Sequence, residues 1–272
     1  MGVAWLRQPK PVAGGRGNPP RVPSAIVCQM LVEILVDGTS VASSMMSTAA
    51  PHFVVAIDGP AGAGKSTVAR ALANRLGYTF LDTGALYRTV ALVAERSRIP
   101  WDDGPQLGAL AKTLGVVFVR EEDRNRILAD SRDVTDDIRR PEISEGASRV
   151  SALPEVRAGL LDMQRRVASQ SNVVAEGRDV GTVVFPSAQA KFFLIANLET
   201  RAQRRTLELQ ATGRPAALAE VLAEMQTRDA RDSGRAVAPL RRADDAVEID
   251  SSLATPDEVL ERMIAIVRAR GG

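Results

Sequence analysis

The stretch Gly59-Pro-Ala-Gly-Ala-Gly-Lys-Ser66 decides the fold, because it is an uninterrupted Gly-x-x-x-x-Gly-Lys-Ser phosphate-binding loop. Glycines let backbone N–H groups crowd around phosphates, Lys65 neutralises the β- and γ-phosphate oxygens, and the Ser66 hydroxyl can bind Mg²⁺. Before the loop, Phe53 to Ile57 is an apolar run typical of a strand buried on both faces. After it, Thr67 to Leu76 has apolar residues at helical spacing. Strand, loop and helix in this order predict a nucleoside triphosphate site.

Composition limits the chemistry that the chain can perform. Its 272 residues, 45% apolar and 25% charged, are typical of one ordinary globular α/β domain. The net charge of +2 is too small to indicate a nucleic-acid partner. Cys28 and His52 are the only residues of their types, which excludes an internal disulfide and a Cys/His zinc cluster. Catalysis must therefore depend on lysine, arginine, aspartate and a metal ion.

Residues 1–50 differ in composition from the rest, and we expect a disordered N-terminal extension there. Met1 to Ser24 is rich in glycine, proline and arginine and has no acidic residue. Ala25 to Val36 is apolar, but it is short for a membrane span and contains two polar side chains. We therefore predict no transmembrane helix. Two explanations of the extension stay open: it targets the protein to an organelle, or translation starts at Met45 or Met46.

From residue 51 onward, short apolar runs alternate with helical patterns, which predicts a parallel sheet covered by helices on both faces. The predicted strands are Phe53–Ile57, Tyr78–Leu81, Asn172–Ala175, Phe192–Ala196 and Ala246–Ile249. The predicted helices are Ser66–Leu76, Ala85–Arg96, Glu155–Ser169, Glu199–Thr212, Leu218–Ser233 and Asp257–Arg268. Residues 101–152 break the alternation. There we predict a small hairpin of Val116–Val119 and Arg126–Leu128 around a turn at Glu121–Asn125, then a helical stretch from Pro141, as an insertion that could fold over a second substrate.

Charged clusters follow two predicted strands, at the edge where open α/β sheets bind ligands. Asp82 to Arg88 follows the second strand, and Thr83 is a plausible N-cap of the next helix. Glu176 to Asp179 follows the third strand, and an arginine there suits bidentate phosphate contact. Alternatively, Arg178 and Asp179 pair with each other or cap a helix.

Two further arginine groups lie in the C-terminal third of the chain. The spacing of Arg228, Arg231 and Arg235 predicts that they share one helical face, which fits a binding site and a solvated surface equally well. A second group could close over the triphosphate as a lid: Arg201, Arg204, Arg205 and Arg214.

Together these motifs resemble those of the bacterial cytidylate (CMP) kinase family, from about Val54 to the C-terminal helix. The marks are four ordered stretches: Ile57–Thr67, Leu81–Arg88, Gly177–Pro186 and Arg231–Leu240. The resemblance implies a P-loop NTPase-type five-stranded parallel sheet in residues 51–272. It also implies an acceptor-binding insertion at about residues 101–152 and a lid at about residues 201–214. The family offers no counterpart to the N-terminal extension.

The resemblance also implies roles for individual residues. It assigns ATP binding to Gly59, Pro60, Ala61, Gly62, Ala63, Gly64, Lys65, Ser66 and Thr67, with Ser66 on the metal. It assigns cytosine recognition to Ser148, Arg157 and Asp179, ribose contacts to Arg228 and Asp232, and acceptor-phosphate contacts to Arg88, Arg178 and Arg235, while Tyr87 and Thr83 line the acceptor site. The catalytic set is Lys65, Arg178, Arg204 and Arg235. Thr83 and Ser66 stand where some members carry serine and glycine, which puts the metal role of Ser66 in doubt.

The activity implied by the resemblance is transfer of the ATP γ-phosphoryl group to CMP or dCMP, with Mg²⁺, in pyrimidine nucleotide metabolism. We expect a cytoplasmic monomer without a membrane or nucleic-acid partner. A switch GTPase is disfavoured, because no aspartate begins an Asp-x-x-Gly motif and no Asn-Lys pair is present. Two alternatives stay open from the residues alone: another small-molecule kinase, such as a UMP or shikimate kinase, and a non-catalytic nucleotide-binding module.

Overall fold

The computed structural model describes residues 52–120, 125–211, 213–214 and 216–272. The predicted disordered extension at residues 1–50 lies outside the described residues, as does most of the predicted hairpin turn. In the described part of the chain, no helix has both the length and the apolar character that a membrane span requires.

The described residues form two sheets and a series of helices. The strands are β1 (Val54–Asp58), β2 (Thr79–Asp82), β3 (Val116–Arg120), β4 (Asn125–Ala129), β5 (Arg132–Asp133), β6 (Val173–Gly177), β7 (Ala190–Ile195) and β8 (Val247–Asp250). The helices are α1 (Lys65–Leu76), α2 (Thr83–Arg96), α3 (Gly104–Thr113), α4 (Pro141–Val150), α5 (Pro154–Ala168), α6 (Leu198–Ala211), α7 (Leu218–Ser233) and α8 (Pro256–Ala269).

The main sheet has five parallel strands in the order β2-β6-β1-β7-β8, which confirms the predicted α/β fold class. β1 lies in the middle, where Asp58 is in register with Gly177 of β6. Because all five strands run in the same direction, their carboxyl ends meet at one edge. The phosphate-binding loop and the charged clusters after β2 and β6 therefore leave the sheet on the same side.

The residues of β1 explain why its sequence is apolar throughout. Val55 and Ile57 pack into the core that α1 and α8 share, against side chains such as Leu72. Val54 and Ala56 belong to the core on the opposite face. Since both faces of the strand are buried, a continuous apolar run replaces the alternation of a half-exposed strand.

The segment of residues 101–152 lies between α2 and α5. Its apolar side chains pack with those of α2 and α5 in one hydrophobic core. The segment contains the predicted hairpin, extended by β5 into a three-stranded antiparallel sheet, and the helix predicted from Pro141. The sequence analysis missed α3, since Gly104, Pro105 and Gly108 are typical of loops. In the structure Gly108 allows close helix packing: a Cβ there would lie 2.6 Å from that of Glu155 on α5.

Two local predictions are wrong. Thr83 is not the N-cap of α2, because Asp82 takes that position and its side chain accepts from the Ala85 amide at 2.8 Å. The Thr83 hydroxyl instead donates to the Glu176 carbonyl oxygen at 2.7 Å. Arg235 does not share a helical face with Arg228, because α7 ends at Ser233.

Candidate active site

The phosphate-binding loop joins β1 to α1 and follows the predicted geometry. Gly59 has φ +148°, and a Cβ there would run into the carbonyl group of Leu194 on β7. Gly64 caps α1 in the left-handed conformation, so the helix begins without a side-chain cap. The first amides of a helix have no partner within it, and the helix dipole favours negative charge there. This loop is therefore a built site for an anion.

Lys65 lies under the loop, where its ammonium group donates to the Pro60 carbonyl oxygen at 2.7 Å. Its side chain is buried. Burial, reinforced by the nearby positive charge of Arg178, lowers the pKa of Lys65 to about 7, while Glu176 acts in the opposite direction. An anion bound at the loop would restore the charge of this ammonium group.

A cleft of about 290 Å³ opens at the carboxyl edge of the sheet. Most of the predicted site residues line it: Ala61, Gly62, Gly64, Lys65, Ser66, Thr67, Thr83, Tyr87, Arg88, Ser148, Arg157, Arg178, Asp179, Arg204, Arg228, Asp232 and Arg235. Gly59, Pro60 and Ala63 belong to the loop but not to the cleft lining. The sequence analysis gave no role to several further lining residues, among them Asp82, Ser151, Glu176 and Glu224.

One end of the cleft holds a buried ion pair between Arg157 and Asp179. Arg157 also donates to the Ser151 carbonyl oxygen at 3.1 Å and lies 5.7 Å from the centre of the Tyr87 ring. Burial raises the pKa of Asp179, although Arg157 and other arginines oppose the shift. Ser148 of α4, also buried, lines the cleft. An acceptor and several donors in a water-poor pocket can read hydrogen-bonding groups on a ligand.

The middle of the cleft is cationic. Arg178 donates to Asp232 at 2.8 Å, and Arg235 holds the other carboxylate oxygen of Asp232. Burial pushes the pKa of Asp232 up, but the two arginines outweigh it and hold that pKa below its usual value. Arg178 therefore pairs with Asp232 and not with Asp179, so the alternative of a mutual pair is wrong.

Several arginines that line the cleft have N–H donors without a hydrogen-bond partner. The Nε atoms of Arg88, Arg228 and Arg235 are buried without a hydrogen-bond partner. Burial and the neighbouring charge of Arg178 lower the pKa of Arg228 to about 10. Buried unpaired donors are costly, so a wall that gathers them is suited to an anionic ligand.

Two carboxylates that sequence reasoning left without a role lie beside the loop. Glu176 is 4% exposed, and its Oε1 atom has no hydrogen-bond partner. Burial, together with the negative charge of Asp82, raises the pKa of Glu176. Asp82 pairs with Arg88 at 2.8 Å. The sequence placed both carboxylates at strand ends, but it did not indicate which groups each carboxylate would contact.

Asp58, the last residue of β1, links the two halves of the cleft. Its carboxylate accepts from the amides of Val180 at 2.8 Å and Gly181 at 2.7 Å. These amides belong to the π-helical turn at Val180–Val184, directly after Arg178 and Asp179. Burial raises the pKa of Asp58 to about 6, against the effect of the two hydrogen bonds.

The arginines of the predicted lid have different surroundings. Arg201 is buried and donates to the Ala61 carbonyl oxygen at 3.1 Å, which ties α6 to the loop. Arg204 lines the cleft and donates to the Ser251 carbonyl oxygen at 2.6 Å. Arg205 also lines the cleft, whereas Arg214 is exposed and does not. Sequence reasoning missed Ser251, which follows β8.

A phosphate-binding loop and a second, arginine-lined pocket thus share one cleft at the edge of a parallel sheet. This arrangement defines the class of P-loop phosphotransferases, in which a triphosphate donor and an anionic acceptor meet.

Comparison with known proteins identifies the family within this class. Residues 55–269 match the family model described as cytidylate kinase. Cytidylate kinase of Geobacter sulfurreducens is 53% identical over 217 residues, which cover 80% of this chain and 93% of that protein. Those of Syntrophotalea carbinolica and Haemophilus ducreyi are 51% and 45% identical, with 80% and 79% of this chain and 93% and 96% of those proteins covered. The chain belongs to the cytidylate kinase family, a family of phosphotransferases with a phosphate group as acceptor.

Proposed function

We propose that this protein transfers the γ-phosphoryl group of ATP to the 5′-phosphate of CMP or dCMP, forming CDP or dCDP in pyrimidine nucleotide metabolism. The observation that carries the proposal is one cleft lined both by the phosphate-binding loop with Lys65 and by the arginines Arg88, Arg178 and Arg235. Two anion sites in one cleft can hold a donor and an acceptor close enough for direct transfer.

The donor half binds ATP through the residues from Gly59 to Thr67. Backbone N–H groups at the start of α1 donate to the phosphate oxygens, and Lys65 contacts the β- and γ-phosphate oxygens. Arg178, Arg204 and Arg235 stabilise the charge that develops on the transferred group. No covalent intermediate is needed. A general base is also unnecessary, because the acceptor phosphate is already an anion at neutral pH.

The residues beside the loop fit a Mg²⁺ ion that accompanies ATP. Ser66 offers a hydroxyl, and Glu176 has a buried oxygen atom without a hydrogen-bond partner beside it. Among the described residues there is no cluster of three or more carboxylate, imidazole or thiolate ligands, and Mg²⁺ in such enzymes takes its ligands largely from phosphates and water. When bound, Mg²⁺ neutralises charge on the β- and γ-phosphate oxygens.

The acceptor half recognises CMP by hydrogen bonds to its base and by charge at its phosphate. Asp179 accepts from the amino group of cytosine, while Arg157 and Ser148 donate to the ring acceptors. Arg228 and Asp232 hold the ribose. Arg88, Arg178 and Arg235 bind the phosphate, and Thr83 and Tyr87 complete the wall. The geometry that supports this assignment is that Asp179 pairs with Arg157, whereas Arg178 pairs with Asp232.

We also infer a division of labour between regions. Residues 101–152 cover the acceptor, and residues 201–214 form a lid over the triphosphate, since α4 and α6 contribute lining residues from these two regions. We infer a monomer that works in the cytoplasm, where ATP and CMP are present, without a nucleic-acid partner.

A coupled assay of ADP release tests the proposal. The purified protein is mixed with ATP and Mg²⁺, and then with CMP, dCMP, UMP, AMP or shikimate in turn. CMP and dCMP should give the highest kcat/KM, because Asp179 can accept from the amino group of cytosine while Arg157 and Ser148 donate to its ring acceptors. Preference for UMP or shikimate would favour another small-molecule kinase. If no acceptor gave turnover, a non-catalytic nucleotide-binding module would be the better description.

A further inference from the structure

Arg231 of α7 contacts both walls of the cleft. Its Nη1 atom donates to the carboxylate of Glu145, whose two oxygens lie 3.0 and 3.1 Å away, and to the hydroxyl oxygen of Ser148 at 3.1 Å. Glu145 and Ser148 both belong to α4, one helical turn apart. Arg231 therefore connects the helix that carries Arg228 and Asp232 to the acceptor-binding insertion. Neither phosphate binding nor the reaction described above uses it.

The contact determines what the Ser148 hydroxyl can do. A serine hydroxyl has one proton and two lone pairs, so on its own it can rotate to donate or to accept. A guanidinium group can only donate. Because Arg231 donates to one lone pair of Ser148, the hydroxyl proton points away from Arg231 and one lone pair remains. The positive charge of the guanidinium group strengthens this hydroxyl as a donor and weakens it as an acceptor.

We propose that Arg231 is a positioning residue for base recognition: it holds the buried hydroxyl of Ser148 in place and biases it toward donating a hydrogen bond to the pyrimidine ring. The inference rests on the proposed function. Along its pairing edge cytosine presents a donor and then two acceptors, whereas uracil presents an acceptor, a donor and an acceptor. A freely rotating hydroxyl could accept from the N3–H group of uracil. With Arg231 donating to it, the hydroxyl is a better donor and a poorer acceptor, so cytosine is favoured over uracil.

The surroundings of Arg231 favour this role over a purely structural one. Its side chain is 32% exposed and that of Glu145 is 46% exposed. An ion pair so open to water adds little to stability. Ser148, in contrast, is 2% exposed, so the hydrogen bond that it receives lies in a region of low dielectric. The carboxylate of Glu145 accepts from the same Nη1 atom and helps to hold the guanidinium group beside Ser148.

A double-mutant cycle tests the proposal through selectivity. The variants are Arg231→Met, Ser148→Ala and the two combined, and the measured quantity is kcat/KM for CMP divided by kcat/KM for UMP. Arg231→Met should lower this ratio by about tenfold, as expected for one lost or misdirected buried hydrogen bond. The change should appear in the KM for CMP, with kcat and the KM for ATP nearly unchanged. In the Ser148→Ala background, Arg231→Met should have no further effect on the ratio.

Two more variants make the cycle decisive. Glu145→Gln keeps Arg231 but loosens it, and should give a smaller fall in the ratio even if Arg231→Met fails to fold. Arg242→Met breaks the exposed Arg242–Glu248 pair outside the cleft and should leave the ratio unchanged. An unchanged ratio in Arg231→Met, or in Glu145→Gln if only that variant folds, would overturn the inference, as would losses that add in the double mutant. If the wild-type protein had no CMP-dependent turnover, the proposed function itself would be wrong.

Discussion

The donor half and the acceptor half of the cleft are built in different ways. The donor half is one continuous stretch, Gly59 to Thr67, held between β1 and α1, and its anion site consists mainly of backbone amides. The acceptor half takes side chains from distant parts of the chain, such as Arg88, Ser148, Asp179 and Asp232. Backbone amides suit any polyphosphate, whereas side-chain pairs can select one ligand. Binding of any polyphosphate and selection of one particular ligand are thus functions of different halves of the cleft.

The two halves meet at Asp58. Its carboxylate, at the end of the strand that leads into the loop, holds the amides of the turn that follows Asp179. Any shift of the donor loop relative to the acceptor residues must therefore strain or break these two hydrogen bonds. The comparison can be tested by changing each half and the link between them separately.

The largest effect is expected in the donor half. Lys65→Ala removes the ammonium group that we propose contacts the transferred group, and it should lower kcat by roughly 10³-fold or more. The Kd of CMP should change little, because the acceptor side chains remain. Steady-state kinetics and calorimetric titration of CMP measure the two quantities, with Lys112→Ala, an exposed lysine of α3, as the control. Turnover close to that of the wild type would remove Lys65 from catalysis.

Asp58, which joins the two halves, should affect how the stability of the protein depends on pH. Because the pKa of Asp58 is about 6 in the folded protein and 3.8 in a model compound, the native state holds this proton more tightly. Its contribution to stability is present below about pH 4 and is lost as the pH rises through 6, by about 3 kcal/mol.

Asp58→Asn removes this titration. The free energy of unfolding of the wild type, measured in urea from pH 4 to pH 7, should fall relative to that of Asp58→Asn. Parallel curves for the two proteins would show that Asp58 does not titrate in this range. The asparagine amide also cannot accept from both Val180 and Gly181, so the KM values for ATP and CMP should both increase.

In the acceptor half, Asp179→Ala should weaken the discrimination between CMP and UMP. The loss of one buried charged acceptor corresponds to about 1.5–3 kcal/mol, or roughly 10- to 150-fold in the ratio of kcat/KM values. Asp179→Asn is the matched variant, since its amide keeps the shape of the side chain and can turn a donor toward uracil. Equal selectivity before and after the change would exclude Asp179 from base recognition.

The smallest effect concerns protons. In the protein without ATP, burial lowers the pKa of Lys65 to about 7, so at pH 8 the ammonium charge is absent in most molecules. Bound triphosphate raises the pKa, and the protein should take up at most one proton per ATP. Calorimetry in buffers of different ionisation enthalpy measures this number. Lys65→Ala should abolish the uptake. If that variant still took up the full amount, the proton would belong to another group.

The sequence predicted the strand and the helix on either side of the phosphate-binding loop closely, because their signals are local. The predicted ends of the five main strands agree with the structure within two residues, and the loop residues follow from the motif alone. Contacts between residues far apart in the chain could not be read from local patterns. Thr83 bonds to Glu176, Asp58 to Gly181, and Ser251 to the Ala63 carbonyl oxygen, across 93, 123 and 188 positions.

The acceptor half could be assigned only through resemblance to a family. Spacing alone left Arg178 and Asp179 as a mutual pair or as ligand contacts, and the choice depended on where Arg157 and Asp232 lie in space. Helix α3 was missed because its glycines, which serve packing against α5, are typical of loops when only neighbouring residues are considered.

The central claim is that one cleft holds a triphosphate donor and a cytidine monophosphate acceptor at the same time. An inhibitor in which adenosine and cytidine are joined through a chain of phosphates tests it most directly. The compound should compete with ATP and with CMP, and should bind more tightly than either substrate, because one molecule fills both halves. Competition with ATP alone, without any effect on the KM for CMP, would contradict the account.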